Sequence, residues 1–258
     1  MNKVSEYHFQ VLGPDVNYQD KLHLHSLFGM LQEAASRSAA EHGWGADAMD
    51  KHNACWLLLR MSVAMSKLPS WGDELTIATW SRGFQRIYFL RDFLIYDSLG
   101  QEIGKATSMW IAADLNSHRP IRPVLFSEIS AEASIEKCAL YDTPPKLDSI
   151  LSFIEGSEIE LPSIVKYADY SEIDRNMHVN NTRYIAWCMD AAHTDALSKC
   201  DILSVDINYL SEIKFNEKVD LYIMEKEDTI QVDGIVRDCN RYAFCCRMHK
   251  SDFMEVSS

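Results

Sequence analysis

The sequence lacks the local signatures of several large enzyme classes. It has no G-x-S-x-G elbow, no Walker loop, no G-x-G-x-x-G and no H-E-x-x-H. These absences set aside nucleophile-elbow hydrolases, P-loop enzymes, Rossmann dinucleotide binders and zincins. No run of about 18 apolar residues occurs, so no membrane-spanning helix is expected. The seven cysteines include no C-x-x-C, and Cys245 and Cys246 are adjacent. Reduced thiols are expected, each a small buried hydrophobe. The chain opens Met1-Asn2-Lys3-Val4-Ser5-Glu6, without the apolar stretch of a signal peptide; the expectation is a cytoplasmic protein. Among the histidines only His23 and His25 approach ligand spacing, and they alternate with Leu22 and Leu24. They read as a solvated face, so no metal is expected. Basic charge is also short. A net charge of −13 argues against nucleic acid and against an anionic membrane surface.

What is present suffices for a substantial core. The 258 residues are 47% hydrophobic, long for one domain and comfortable for two. Five of the seven prolines (Pro120, Pro123, Pro144, Pro145, Pro162) fall in the middle of the chain. The expected division is therefore a first domain over 1–116, a linker over 117–162, a second domain over 163–250 and a polar tail over 251–258. Residues 1–128 carry 12 Lys and Arg against 14 Asp and Glu; the rest carry 13 against 24. An acidic partner would thus favour the first part.

Each domain reads as one helix followed by antiparallel strands, an α+β order without βαβ alternation. In the first, a strand over residues 6–12 precedes a helix from Leu24 that carries Leu27, Leu31, Ala34 and Ala35 on one face and stops at Gly43. Strands are expected over Ala54–Met65, Glu74–Ser81, Arg86–Asp97 and Gly104–Asp114. In the second, an extended segment Ser163–Ile173 leads to a helix from Val179 to about Lys199. Strands follow over Leu203–Phe215, Val219–Glu225, Thr229–Arg237 and Arg241–His249. The order suggests an internal duplication. A shift of 154 sets Asp20, Leu22 and Leu24 against Asp174, Asn176 and His178. A shift of 144 sets Gly72-Asp73-Glu74-Leu75 against Asn216-Glu217-Lys218-Val219, and Leu68 against Glu212. On this register only the second copy is polar, and the first copy's apolar equivalent suits a greasy ligand.

The stretch Asp174-Arg175-Asn176-Met177-His178-Val179-Asn180-Asn181 concentrates the chemistry. In an extended segment Asp174, Asn176 and His178 would share one face. The helical period of Ile185, Cys188, Met189, Ala192 and Ala196 begins directly after them. An acid, an amide and an imidazole therefore gather where free N–H groups and the positive helix end can stabilise developing negative charge. The plainer alternative is that the acid and amide cap the helix while the imidazole packs behind them.

The pattern Asp174-x-Asn176-x-His178-Val179-Asn180-Asn181-x-x-Tyr184-Ile185-x-Trp187 resembles the signature of acyl-acyl carrier protein thioesterases of the bacterial type. Gln32-Glu33-Ala34-Ala35, Trp71-Gly72-Asp73-Glu74, Thr79-Trp80-Ser81-Arg82-Gly83, Arg91-Asp92-Phe93, Ala106-Thr107-Ser108-x-Trp110 and Arg119-Pro120 are similar to that family's first half. The resemblance covers roughly residues 6–249. It implies two tandem hotdog folds, each a long helix wrapped by a curved antiparallel β-sheet. It implies hydrolysis of fatty acyl-acyl carrier protein, with release of free fatty acid and an end to chain elongation.

Catalysis would rest on Asp174, Asn176, His178 and Glu212. The N–H groups around Val179, Asn180 and Asn181 would hold the oxyanion, and the acyl chain would run into the first domain past Leu27–Ala40 and Ala54–Met65. No cofactor is implied beyond the phosphopantetheine arm of the substrate. The partner is acyl carrier protein, with Arg82, Arg86, Arg91, Lys105, Arg119 and Arg122 as candidate docking residues; a homodimer is left open. Ile213 stands where plant relatives have a cysteine, so a nucleophilic cysteine there is ruled out. No plastid transit peptide is expected before the first domain, in keeping with the bacterial type. The alternatives are a hotdog acyl-CoA thioesterase and a non-catalytic acyl-carrier-binding protein.

Overall fold

The apolar stripe Leu24, Leu27, Phe28, Leu31, Ala34, Ala35 becomes the buried face of α1 (Leu24–Glu41). Gly43, at φ +81°, turns the chain out of it. The structure, a computed structural model, describes residues 4–117, 119–121, 135, 137–150, 162–192 and 201–251. It divides into two compact units, Met1–Pro144 and Pro145–Ser258. In the first, β1 (Ser5–Gln10), β2 (Ala54–Met65), β3 (Glu74–Gln85), β4 (Tyr88–Asp97) and β5 (Glu102–Asp114) form an antiparallel sheet ordered β1-β3-β4-β5-β2. Register shifts at Leu58/Arg60, Ser81/Gly83 and Ile95/Tyr96 are the bulges that bend strands around a helix. A short helix α2 (Ala46–Lys51) was not expected; Gly45 starts it and only Met49 of it is buried, so it carries too little period to read.

The second unit repeats the plan. Strands β6 (Ile164–Tyr167), β7 (Ile202–Tyr209), β8 (Lys218–Glu225), β9 (Thr229–Val236) and β10 (Arg241–Lys250) are ordered β6-β8-β9-β10-β7. Helix α3 (Asn181–Ala191) buries Tyr184, Ile185, Trp187, Cys188 and Ala191. The Tyr184 ring meets Tyr209 of β7 and Phe244 of β10 edge-on at 5.3 and 5.2 Å. Each unit is thus a hotdog, and the chain is α+β. The helix expected to run unbroken from Val179 to about Lys199 instead starts at Asn181 and stops at Ala191, because the backbone of Ala192 is extended (ψ 127°); residues 193–200 lie outside the described residues. Among the described cysteines Cys188, Cys245 and Cys246 are buried, but Cys55 and Cys138 are partly exposed and Cys239 is exposed, against the expectation for all seven.

The backbone corrects the register of the repeat. Asn17 N donates to Lys21 O, as Asp174 N does to His178 O. Positive φ falls at Asp20 (62°) and Met177 (65°), and the bridges Val16–Leu22 and Ile173–Val179 correspond. The shift is therefore 157 here, not 154. The counterparts of Asp174, Asn176 and His178 are Asn17, Gln19 and Lys21, not Asp20 and two leucines. The shift of 144 for the later loop stands: Leu22 N donates to Pro69 O as Val179 N does to Ile213 O. Leu68 remains the counterpart of Glu212.

The described parts of the proline-rich middle are anchored to buried polar side chains. In the first unit Asp92 accepts from Thr107 Oγ1 (2.6 Å) and Ala139 N (3.1 Å), and Arg82 Nη2 donates to Tyr141 O and Asp142 O. In the second, Asp233 accepts from Ser149 Oγ (2.6 Å) and Ile150 N (2.7 Å), and Asn208 bonds both Pro145 O and Leu147 N. Burial lifts both carboxyl groups above the ordinary range, against the pull of those donors.

Candidate active site

Asp174 to Met177 is a turn, not the extended segment expected. Asp174 Oδ1 accepts from Asn176 N at 2.8 Å and from His178 N at 3.4 Å, an Asx-type closure. Met177 N returns to Asp174 O. The turn leaves Asn176 exposed and places His178 back in an extended bridge with Lys214. The shared strand face therefore does not form; the turn instead sets the Asp174 carboxylate against the backbone N–H groups of Asn176 and His178.

The pairing of His178 with Lys214 brings in the fourth residue. His178 Nε2 lies 3.2 Å from Glu212 Oε2, with the imidazole more buried than the carboxylate. Glu212 sits in the loop after β7, not on the strand expected through Phe215. Arg241, at the start of β10, fixes that loop. Its guanidinium donates to Ser211 Oγ (2.6 Å), to Glu212 O and to both oxygens of Glu217 (3.2 Å). Glu217 Oε2 in turn accepts from Lys214 N. Sequence reasoning saw in Arg241 only the start of a strand, because nothing local ties it to residues thirty positions upstream.

The start of α3 is partly committed. Asn180 is its N-cap, and its Oδ1 accepts from Thr182 N and Thr182 Oγ1 at 2.9 Å each. Val179 N donates to Ile213 O and Asn180 N to Glu172 O, both at 2.8 Å. These two N–H groups are spoken for, which corrects their assignment as oxyanion donors. Among the described residues the Asn181 N–H makes no hydrogen bond, so it and the side-chain amide of Asn176 are the candidates left. Behind them, Trp187 Nε1 donates to Glu172 Oε1 (2.7 Å) and Tyr209 Oη to Asn181 O (3.1 Å), pinning the first turn of the helix. Burial pushes the Tyr184 hydroxyl to a higher pKa, so it stays neutral beside Glu212 and Asp174.

The docking candidates of the first unit fare unevenly. The Arg82 side chain is 8% exposed and its Nε lies 2.5 Å from Asp92 Oδ2. Arg91 is partly buried and donates to Thr79 Oγ1 at 3.2 Å; burial lowers its pKa to about 10. Both serve the interior and are not docking residues, because a buried guanidinium holding a carboxylate or hydroxyl is not offered to a partner. Arg86 and Arg119 are exposed, Lys105 pairs with Glu102 at 3.1 Å, and Arg122 lies outside the described residues. Among the described residues no three His, Cys, Asp or Glu side chains group as metal ligands, and no helix is long and apolar enough to cross a membrane.

Comparison with known proteins places this geometry. Residues 2–133 match the profile of the acyl-ACP thioesterase N-terminal domain, and residues 157–240 that of the C-terminal domain. The chain is 26% identical over 231 residues to an oleoyl-acyl carrier protein thioesterase of Arabidopsis thaliana, covering 82% of this chain and 61% of that protein. It is 26% identical over 220 residues to a palmitoyl-acyl carrier protein thioesterase of Gossypium hirsutum, covering 81% and 52%. It therefore spans between about half and three fifths of the length of these curated relatives. The crystal structure of an acyl-ACP thioesterase from Bacteroides thetaiotaomicron superposes with a TM-score of 0.87 at 22% identity over 97% of this chain and 98% of that one. The 12:0-ACP thioesterase of Umbellularia californica gives 0.83 at 19% identity, covering 97% of this chain and 98% of that one. With both domain profiles matched over most of its length, the chain belongs to the acyl-ACP thioesterase family.

Proposed function

We propose that the protein hydrolyses the thioester of fatty acyl-acyl carrier protein in the cytoplasm, releasing free fatty acid and ending chain elongation. The observation that carries this reading is the His178 Nε2–Glu212 Oε2 contact of 3.2 Å, beside Asp174 at the start of α3, in a member of this family. The other copy of the same turn carries Asn17, Gln19, Lys21 and Leu68: on the corrected register it is polar, against the apolar equivalent expected, but it has neither carboxylate nor the imidazole.

Water is the nucleophile in this proposal. With His178 Nε2–H donating to the Glu212 carboxylate, the tautomer and ring orientation are set and Nδ1 is the acceptor. A carboxylate, Asp174 through Oδ2 or Glu212, takes a proton from water as its oxygen bonds to the thioester carbon. The carbonyl oxygen gathers charge near the Asn181 N–H and the Asn176 amide. The tetrahedral intermediate then collapses with cleavage of the C–S bond, and the proton passes through His178 to the departing thiolate. No cofactor is needed; the phosphopantetheine arm belongs to the substrate.

The test is hydrolysis of matched acyl chains on acyl carrier protein and on coenzyme A, by wild type and His178→Ala. Fast release from the carrier protein, reduced at least about a hundredfold in the variant, is expected. Preference for coenzyme A would make the protein an acyl-CoA thioesterase, and no release from either would make it an acyl-carrier-binding protein. Single turnover in ¹⁸O water checks the nucleophile: label in a protein carboxylate would mean an acyl-enzyme intermediate.

A further inference from the structure

The two copies of the turn share a backbone, so the residues on their exposed edge can be compared position by position. In the second copy, exposed Arg175 and Met177 lie on one loop, and exposed Lys214 and Phe215 on the other. The His178–Lys214 bridge joins the two loops at the site itself. In the first copy the Lys21–Ser70 bridge makes the same junction. There the matching residues are Tyr18, Asp20, Ser70 and Trp71. An exposed aromatic is common to both copies. What differs is charge: of the four matched positions, one is an anion in the first copy and two are cations in the second. The change runs against the composition, since the second part of the chain is much the more acidic.

Met177 adds an independent observation. It is held at φ +65° with 69% of its surface exposed. The left-handed region is uncommon for a long unbranched side chain, whereas Asp, as at position 20, tolerates it well. A flexible apolar side chain kept exposed in a disfavoured conformation points to a contact made with something else. Phe215, on the facing loop, is a second exposed apolar side chain, at 47%.

We infer that Arg175, Met177, Lys214 and Phe215 form the docking surface for an acidic face of the protein that carries the thioester. This rests on the proposed hydrolysis. The occupant follows from the chemistry of the rim. Cations on two separate loops with a thioether and an aromatic between them fit a protein face that is acidic at its edges and apolar at its centre. A phosphate alone would leave the apolar centre uncovered. The rim borders His178, so a partner seated on it delivers its arm directly to the His178–Glu212 pair. This moves docking from the arginines of the first unit, two of which serve the interior, to the catalytic loops.

The test grafts the first copy's rim onto the second. The triple variant Arg175→Tyr, Met177→Asp, Lys214→Ser carries residues that the same backbone already holds elsewhere in the chain, and its unfolding midpoint should lie within about 2 °C of wild type or above it. Binding of fluorescently labelled holo-acyl carrier protein to the full chain is read by anisotropy. At about 50 mM salt the graft should weaken Kd at least about tenfold, and wild-type binding should weaken as salt rises toward about 500 mM. Arg86→Glu with Arg119→Glu should change Kd less than about threefold. An unchanged Kd in a folded graft, or a larger loss in the Arg86/Arg119 variant, overturns the assignment. So does displacement of the carrier from wild type by free coenzyme A that the graft abolishes, since the rim would then read nucleotide phosphates. A wild type that hydrolyses the thioester of acyl-acyl carrier protein with a silent graft refutes the docking surface alone; a wild type that neither binds the carrier nor hydrolyses its thioester refutes the function as well.

Discussion

Replacing Asp174 separates the geometry of the active-site turn from its chemistry. The first copy shows what the turn alone requires. Asn17 Oδ1 accepts from Gln19 N at 2.9 Å and from Lys21 N at 3.1 Å, the same bonds that Asp174 Oδ1 makes to residues 176 and 178. An amide oxygen therefore suffices, and the second carboxylate oxygen at position 174 exceeds what the turn needs. Asp174→Asn should leave stability within about 0.5 kcal/mol of wild type while turnover falls by about 10²–10⁴, the usual range for a lost general base. Asp174→Ala removes both acceptors. At about 0.5–1.5 kcal/mol per bond, with the 3.4 Å bond the weaker, it should destabilise the chain by about 1–2 kcal/mol and lower the midpoint by about 2–8 °C. Thermal unfolding and single-turnover hydrolysis of acyl-acyl carrier protein, measured on both variants, give the two readouts. If Asp174→Asn turns over like wild type, Asp174 is a second Asn17, and the base must be sought at Glu212.

Three other outcomes follow from the contacts. Arg82→Met leaves Asp92 buried beside a lost cation and should cost about 3–5 kcal/mol, read by denaturant unfolding; a loss of carrier binding without a loss of stability would return Arg82 to the surface role expected of it. Asp233→Asn tests the raised carboxyl. Its folded pKa exceeds its unfolded value of about 3.9, so the folded state binds the extra proton and the side chain's contribution falls as pH rises through the folded pKa. The stability of wild type relative to Asp233→Asn should thus be greatest below about pH 4 and smallest at neutral pH, and a constant difference would contradict the assignment. Arg241→Met releases Ser211, the Glu212 carbonyl and Glu217 together, and should lower kcat about tenfold or more while Glu212 itself is intact; unchanged kcat would show that the loop holds Glu212 without the clamp.

Much of the fold was legible because its signals are local. The span Ala54–Met65 was readable from its length and its flanking turns, and α1 from the stripe Leu27, Leu31, Ala34, Ala35 ending at Gly43. The duplication was legible as an order of elements, but its register was not. A shift of 154 matches one aspartate to another, whereas the turn asks only for an acceptor in its first position, which Asn17 supplies as well as Asp174 does. Asp20 instead takes the left-handed place that Met177 holds.

By itself the sequence determined that Asp174, Asn176 and His178 stand together before a helix, because a turn of four residues and a helix period need no distant partner. Only the tertiary structure decided the rest. Glu212 meets His178 because β7 returns its following loop to the turn, a pairing across 34 positions. The N–H groups of Val179 and Asn180 are consumed by Ile213 and Glu172. The arginines 82 and 91 turn inward because Asp92 and Thr79 are buried where they can hold them. Composition can report that a charge exists; whether it faces a partner or a carboxylate depends on which strands pair, and that is decided by burial of the whole sheet.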